Sequence, residues 1–200
     1  MNVLIIGATG TIGNAVRQTL LSETDANLTL FARSANRLKP GSREKVVAGD
    51  VNQVHDLDQA MKKQDVVFVA LSGNLGTYAE NIVSAMKRNQ IDRLLFVTSM
   101  GIYNEIPATI GSNGNLEYNS VLSSYRQAAD VVEASDLNYT VIRPGWFTSG
   151  PVDYEVTLKG EPFGGNDVSV SSIADLVKRL TLNATCLLYT SPSPRDAHES

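Results

Sequence analysis

The sequence predicts an α/β fold, a Rossmann-type doubly wound parallel sheet in a single domain. Three observations carry that prediction. A glycine-rich turn, Gly7-Ala8-Thr9-Gly10-Thr11-Ile12-Gly13, directly follows an apolar run and opens into a stretch of helical periodicity. Further apolar runs then alternate with helical stretches along the chain. The 200 residues, 42% hydrophobic and 19% charged, suffice for one buried core without metals or disulfides.

Residues 3–6, Val-Leu-Ile-Ile, are continuously apolar, as a strand covered on both faces requires. Ile12, Val16 and Leu20 then recur at helical spacing, with Ala15 beside them, so the glycines occupy a strand-to-helix turn. Apolar runs at 28–31, 46–48, 66–71, 94–97 and 139–142 predict five further strands. Helical stretches at 56–63, 78–89 and 121–134 separate them, and in the last Val121, Tyr125, Ala128 and Val132 share one face. Two loop-rich segments, 101–119 and 146–167, are the natural places for substrate contacts, since loops at the carboxyl ends of parallel strands carry the ligand sites.

Each glycine of the turn has its own task. Gly7 makes the tight turn after the strand, Gly10 leaves room for a pyrophosphate, and Gly13 lets the helix pack closely on the strand. The helix begins at the phosphate, where free N–H groups and the positive dipole end favour an anion. The spacing is G-x-x-G-x-x-G instead of G-x-G-x-x-G, and the flanking strand and helix give it its specificity. Thr9, Thr11 and Ile12 complete the loop. The second strand ends in Phe31-Ala32-Arg33-Ser34, about 20 residues beyond Gly13, where an NAD site would hold a carboxylate for the ribose hydroxyls. Arg33 instead offers a planar fork of donors to a 2′-phosphate, supported by Ser34 and Arg37. The expected cofactor is NADP, with NAD as the alternative.

Composition excludes several classes of function. The formal net charge is -4 and no basic block opposes it, which disfavours nucleic acid. One cysteine, Cys186, and two histidines, His55 and His198, build neither a disulfide framework nor a Cys/His metal cluster. No stretch approaches the roughly 20 apolar residues of a membrane span, and no leader precedes the first strand. The expectation is a cytoplasmic protein, a monomer by default, acting on a small-molecule substrate. The run from Cys186 to Asp196 departs from the helical pattern before it and resembles the translation of a transposase sequencing adapter. On that reading residues 1–185 are the nucleotide-binding domain, 186–200 are a non-native tail, and the natural C-terminal element is missing.

With Gly7 to Gly13, Arg33, Gly49-Asp50-Val51, Val97-Thr98-Ser99 and Tyr139-Thr140-Val141-Ile142-Arg143-Pro144-Gly145 in view, the chain resembles an atypical short-chain dehydrogenase/reductase. The likeness is to the compact NAD(P)H-binding branch that includes flavin and biliverdin reductases and redox-sensing regulators. The segments 134–139 and 170–177 also resemble their counterparts in that branch. The resemblance implies that Asp50 and Val51 border the adenine, that Leu71, Ser72 and Gly73 lie beside the cofactor, and that Pro144 and Gly145 lie near the nicotinamide. One departure stands out. Typical members carry Tyr-x-x-x-Lys, in which the lysine lowers the tyrosine pKa for proton transfer, whereas Tyr125 is followed at that spacing by Ala129, Tyr103 by Pro107 and Tyr139 by Arg143.

The candidate catalytic residues are Ser99, Tyr103 and Tyr125. Ser99 ends a strand and offers a hydroxyl to a carbonyl, Tyr103 offers a proton or a stacking surface, and Tyr125 points toward the nicotinamide end by resemblance. Each also has a purely structural reading, as a strand-end serine or a packed tyrosine. Arg126 either holds an acidic substrate or is solvated. Trp146 and Phe147 form an aromatic wall for a flat substrate or belong to the core. His55 is given no role, and Asp175 is read as an exposed carboxylate or a cap. The expected function is NADPH-dependent hydride transfer to a small planar acceptor such as a flavin or quinone. A non-catalytic NADP(H)-binding redox sensor is the rival reading, and a sugar-nucleotide epimerase-like enzyme the weaker alternative.

Overall fold

Alternation along each apolar run is what builds the layers. In the computed structural model, which describes residues 1–183 and the strand backbone of 189–193, six runs become β1 (Asn2–Ile6), β2 (Asn27–Ala32), β3 (Glu44–Ala48), β4 (Val66–Val69), β5 (Arg93–Val97) and β6 (Asn138–Ile142). They pair in parallel in the order β3-β2-β1-β4-β5-β6. Successive strand residues point to opposite faces, so two cores form. Leu4, Ile6, Val67, Val69, Leu94 and Phe96 serve one, and Val3, Ile5, Leu30, Phe68, Leu95 and Val97 the other.

Helices cover both faces. On the first lie α2 (Val54–Met61), α3 (Leu75–Arg88) and α4 (Ser123–Glu133), which bury Leu57, Ile82, Met86, Ala128 and Val132. On the second, α1 (Thr11–Glu23) and α5 (Val170–Leu182) bury Val16, Leu20, Ile173, Val177 and Leu180. Each of these side chains except Ala128 contributes about 1.5–3 kcal/mol when fully buried. The doubly wound fold is as expected.

Three boundaries differ from expectation for local reasons. The strand expected at 66–71 ends at Val69, because after Ala70 N–H bonds to the Ile6 carbonyl (3.0 Å) the chain turns away from the sheet. Residue 121 does not share the buried face of α4. The chain enters α4 through a single 3-10 turn, Ser120–Leu122, in which the Asn119 side chain accepts from Val121 N–H. That turn buries Leu122 and leaves Val121 73% exposed. The loop-rich segment 146–167 contains short strands, β7 (Trp146–Thr148), β8 (Glu155–Thr157) and, at its end, β9 (Asp167–Ser169), of which β7 and β9 pair in parallel.

The segment expected to be a tail begins at 186 and lies mostly outside the described residues, Cys186 and His198 included. Within it, β10 (Tyr189–Ser193) pairs in parallel with β6 and antiparallel with β8. Among the described residues no helix is long and apolar enough to cross a membrane. Nor does any group of three or more His, Cys, Asp or Glu among them suit a metal.

Candidate functional site

The strand order reverses at β1 and β4, and a doubly wound sheet opens a crevice at such a switch point. A cleft of about 470 Å³ lies there, crossing the carboxyl ends of the strands from Asp50 after β3 to Phe147 after β6. Its size falls among those of small-molecule sites.

The glycine turn forms its floor. Gly7 has φ +94°, and a Cβ on it would lie 2.1 Å from the Ala70 carbonyl oxygen; its N–H bonds to Phe31 O at 2.9 Å. A Cβ on Gly13 would lie 2.1 Å from Gly7 O, so this glycine keeps α1 against the turn. Gly10 differs from both. Its φ of −80° suits any residue, and a Cβ would meet only Gly7 O, at 3.4 Å. Neither backbone conformation nor packing demands glycine there, and the turn is left open on the cleft side. Gly10 is also the N-cap of α1, with no side-chain cap and no acidic residue in the first turn, so the positive end of the helix is free to meet an anion.

Of the expected cofactor residues, Gly7, Thr9, Gly10, Thr11, Ile12, Arg33, Ser34, Asp50, Val51, Leu71 and Ser72 line the cleft. Arg33 is exposed there. Asp50 is held in place from two sides: its N–H donates to Asp56 Oδ2 (2.9 Å), and its Oδ1 accepts from Asn52 N–H (2.9 Å) and Nδ2 (3.0 Å). Gly49 permits this approach, since a Cβ would lie 2.8 Å from both Asp56 Cβ and the Phe31 ring.

Several expected residues are not among those lining the cleft. Gly13 lies beneath it. Arg37 sits on the 3-10 turn Ala35–Arg37, which buries Ala35 and carries the guanidinium into solvent. Gly73 has φ +112° and gives its carbonyl to Ser124 Oγ (2.5 Å), which in turn accepts from Leu75 N–H (2.9 Å), so the loop after β4 is pinned to α4. Pro144 and Gly145 are buried. Pro144 O accepts from Met100 N–H at 3.0 Å, and a Cβ on Gly145 would lie 2.6 Å from Asn166 O.

The three catalytic candidates separate. Tyr125 lines the cleft from α4, facing an end also lined by Leu71, Tyr78, Thr98 and Phe147. Ser99 turns its hydroxyl to the Met100 carbonyl (3.1 Å), and it is the neighbouring Thr98 that reaches the cleft, bonded to Ile142 O at 3.1 Å. Tyr103 is drawn away by Glu133, whose Oε1 accepts from its hydroxyl. Ala129, four residues after Tyr125, is fully buried in the core. A lysine there would place an ammonium in the apolar layer, a costly position.

The remaining side chains also find their places. Trp146 and Phe147 are 68% and 51% exposed, so neither is core, and Phe147 lines the cleft. Arg126 pairs with Asp130 at 2.7 Å, which holds its guanidinium pKa above the ordinary value through that hydrogen bond. His55 is exposed beside Gln59. Asp175 is not a free carboxylate: it accepts from Tyr154 OH (2.8 Å) and Lys178 Nζ (2.7 Å). Burial alone would raise its pKa, but those hydrogen bonds outweigh it and hold the group below its ordinary value. The sequence reading missed Asn52, Tyr78 and Thr98 as lining residues. Each is close in sequence to a motif that was singled out, which was the available signal.

Residues 7–184 match the model of a family described as NAD(P)H-binding. A Rossmann-fold NAD(P)-binding family protein from Shigella flexneri is 33% identical, with a TM-score of 0.84 over 100% of this chain and 96% of that one. A short-chain dehydrogenase/reductase from Veillonella parvula, solved in complex with NADP, is 27% identical with a TM-score of 0.90 over 99% and 96%. A Bacillus subtilis protein described as an uncharacterized sugar epimerase, YhfK, is 25% identical over 97% of this chain and 96% of its own length.

Proposed function

The chain belongs to the NAD(P)H-binding family, and from that premise we propose that it is an NADPH-dependent reductase acting on a small, flat, conjugated acceptor. The observation that carries the reading is the contrast between the two ends of the cleft. The end at β2 and β3 presents Arg33 and Asp50, the only charged residues among the described lining residues. The end at β5 and β6 presents Thr98, Tyr125 and Phe147.

The residues fit a dinucleotide. The open face of Gly10 and the uncapped start of α1 suit the pyrophosphate, and Arg33 with Ser34 suits the 2′-phosphate of NADP. That cofactor is present in the Veillonella relative. When bound, it supplies the hydride, so this chain need chiefly orient the two rings and exclude water. Tyr125 and Phe147 provide aromatic surfaces for a flat acceptor. Solvent supplies the proton, which accounts for an alanine at position 129.

An epimerase acting on a sugar nucleotide, the reading that the name of the Bacillus relative favours, needs cations for the substrate's diphosphate. Among the described lining residues the one cation is Arg33, at the opposite end from Tyr125. A binding protein that responds to NADP(H) without turnover is the second reading, and the buried Ala129 supports it. The test is NADPH consumption with flavins, quinones and a sugar nucleotide offered in parallel. Consumption with the first two and no epimer of the third is expected. Binding of NADPH with no consumption would replace the reductase by the sensor.

A further inference from the structure

The two loop segments beside the acceptor end of the cleft, 101–119 after β5 and 149–166 between β7 and β9, meet at Tyr103. Its hydroxyl donates to Glu133 on α4. The other Glu133 oxygen accepts from Lys159 Nζ at 2.8 Å, and Lys159 Nζ lies 4.2 Å from the centroid of the Tyr103 ring. Arg126 of α4 and Arg143 from the end of β6 flank the same ring at 5.0 and 5.1 Å. Cations over an aromatic face are held by its quadrupole, so this ring gathers three of them from three parts of the chain.

The backbone beneath is fixed as well. The Glu105 carboxylate accepts from Gly101 N–H (3.1 Å) and Tyr103 N–H (2.9 Å), and it pairs with Arg143 at 2.7 Å. Those two side chains are only 6% and 1% exposed.

Two routes lead from this node to the walls of the cleft. One runs along α4, where Arg126 Nη1 donates to Ile102 O (3.2 Å) and the adjacent residue is Tyr125. The other starts at Lys159 and passes through buried Phe163, whose N–H bonds to Glu105 O at 3.0 Å. It reaches Asn166, whose carbonyl accepts from Trp146 N–H at 2.9 Å, and then β9, which sets Val168 beside Phe147. Tyr103 does not line the cleft, yet both Tyr125 and Phe147 are carried by elements fastened to it.

We infer that Tyr103 is a positioning residue: with Glu133 and Lys159 it fastens segment 158–166 to α4, sets the gap between Tyr125 and Phe147, and so restricts the site to flat acceptors. This rests on the reductase reading for its substrate, though not for its mechanics. Trp146 is the only tryptophan of the chain and its backbone N–H is held by the Asn166 carbonyl, so its fluorescence anisotropy reports the segment without any turnover.

The experiment compares Tyr103→Leu, Tyr103→Phe and Lys159→Met in the full chain. Tyr103→Leu and Lys159→Met should raise the acceptor KM about tenfold while kcat and the NADPH Kd stay within about twofold. Both should also lower the residual Trp146 anisotropy by about half. Tyr103→Phe keeps the ring under its cations and should recover most of both losses. Lys159→Met leaves the Glu105–Arg143 pair intact, so it decides the matter if Tyr103→Leu does not fold. Unchanged anisotropy in Lys159→Met overturns the inference, as does a loss of NADPH affinity equal to the rise in KM. If no acceptor is turned over, the reductase reading fails, while the anisotropy still decides the role of Tyr103.

Discussion

Replacing Gly10 with alanine should separate cofactor binding from folding. The backbone at Gly10, φ −80° and ψ 168°, accepts an L-residue, and the added methyl would meet only Gly7 O at an ordinary 3.4 Å. Stability should therefore hold or rise by about 0.4–1 kcal/mol, because alanine has fewer unfolded conformations to lose. The methyl would occupy the open side of the turn, where the pyrophosphate must approach. We expect the NADPH Kd to rise about 100-fold, or ~2.7 kcal/mol. Gly13→Ala is the control: its methyl would lie 2.1 Å from Gly7 O, an overpacking that should cost about 1–3 kcal/mol. That corresponds to a fall in Tm of about 2–4 °C per kcal/mol for a chain of this size. Thermal melts with and without NADPH read both quantities, since a ligand at 100 times Kd adds about 2.7 kcal/mol. Two results would refute the reasoning: Gly10→Ala melting as low as Gly13→Ala, or Gly10→Ala binding NADPH as tightly as the parent.

Arg33→Ala should weaken NADPH at least tenfold, or ~1.4 kcal/mol, and NADH by no more than about twofold; equal losses in fluorescence titrations would remove the 2′-phosphate assignment. Glu105→Gln takes the counter-charge from an Arg143 whose Nε and Nη2 already lack hydrogen-bond partners. Breaking a buried pair in this way costs about 3–5 kcal/mol, measurable by urea unfolding, and a loss under 1 kcal/mol would show that the site is wet. The hydrogen bond from Arg17 depresses the pKa of Glu44, which ties α1 to β3. A depressed carboxylate stabilises the fold above its unfolded pKa, near 4.5, and that stability is lost as pH falls below it through the folded value. Glu44→Gln should therefore flatten the acid limb of the stability curve, and an unchanged limb would exclude this pair as a source of acid sensitivity.

Sequence and structure coincide where one local rule decides the outcome. The runs at 3–6 and 139–142 show no competing periodicity, so their strands follow from the sequence, whereas the order β3-β2-β1-β4-β5-β6 is set by tertiary pairing. Gly7 and Gly13 are legible because φ and close packing leave no other residue type. For Tyr103 and Ser99 the sequence leaves a structural and a catalytic reading open, because the partner of the Tyr103 hydroxyl, Glu133, lies 30 residues away and the Ser99 hydroxyl turns to the adjacent Met100 carbonyl. Arg37 sits on the 3-10 turn that buries Ala35 and is not among the residues lining the cleft. The short pairing of β7 with β9 also escaped the sequence, since strands this short carry too few residues to show a period. In the sequence Phe147 is open between a wall and the core, and its strand β7 pairs with β9.

The central claim is tested most directly by following NADPH absorbance in the purified chain, under anaerobic conditions, with an uncharged flavin or quinone as the only acceptor. The account predicts NADPH oxidation matched by reduction of the acceptor, slower with NADH, with the acceptor KM raised about tenfold by Phe147→Ala. No oxidation with any conjugated acceptor, in a chain shown to bind NADPH, would contradict it.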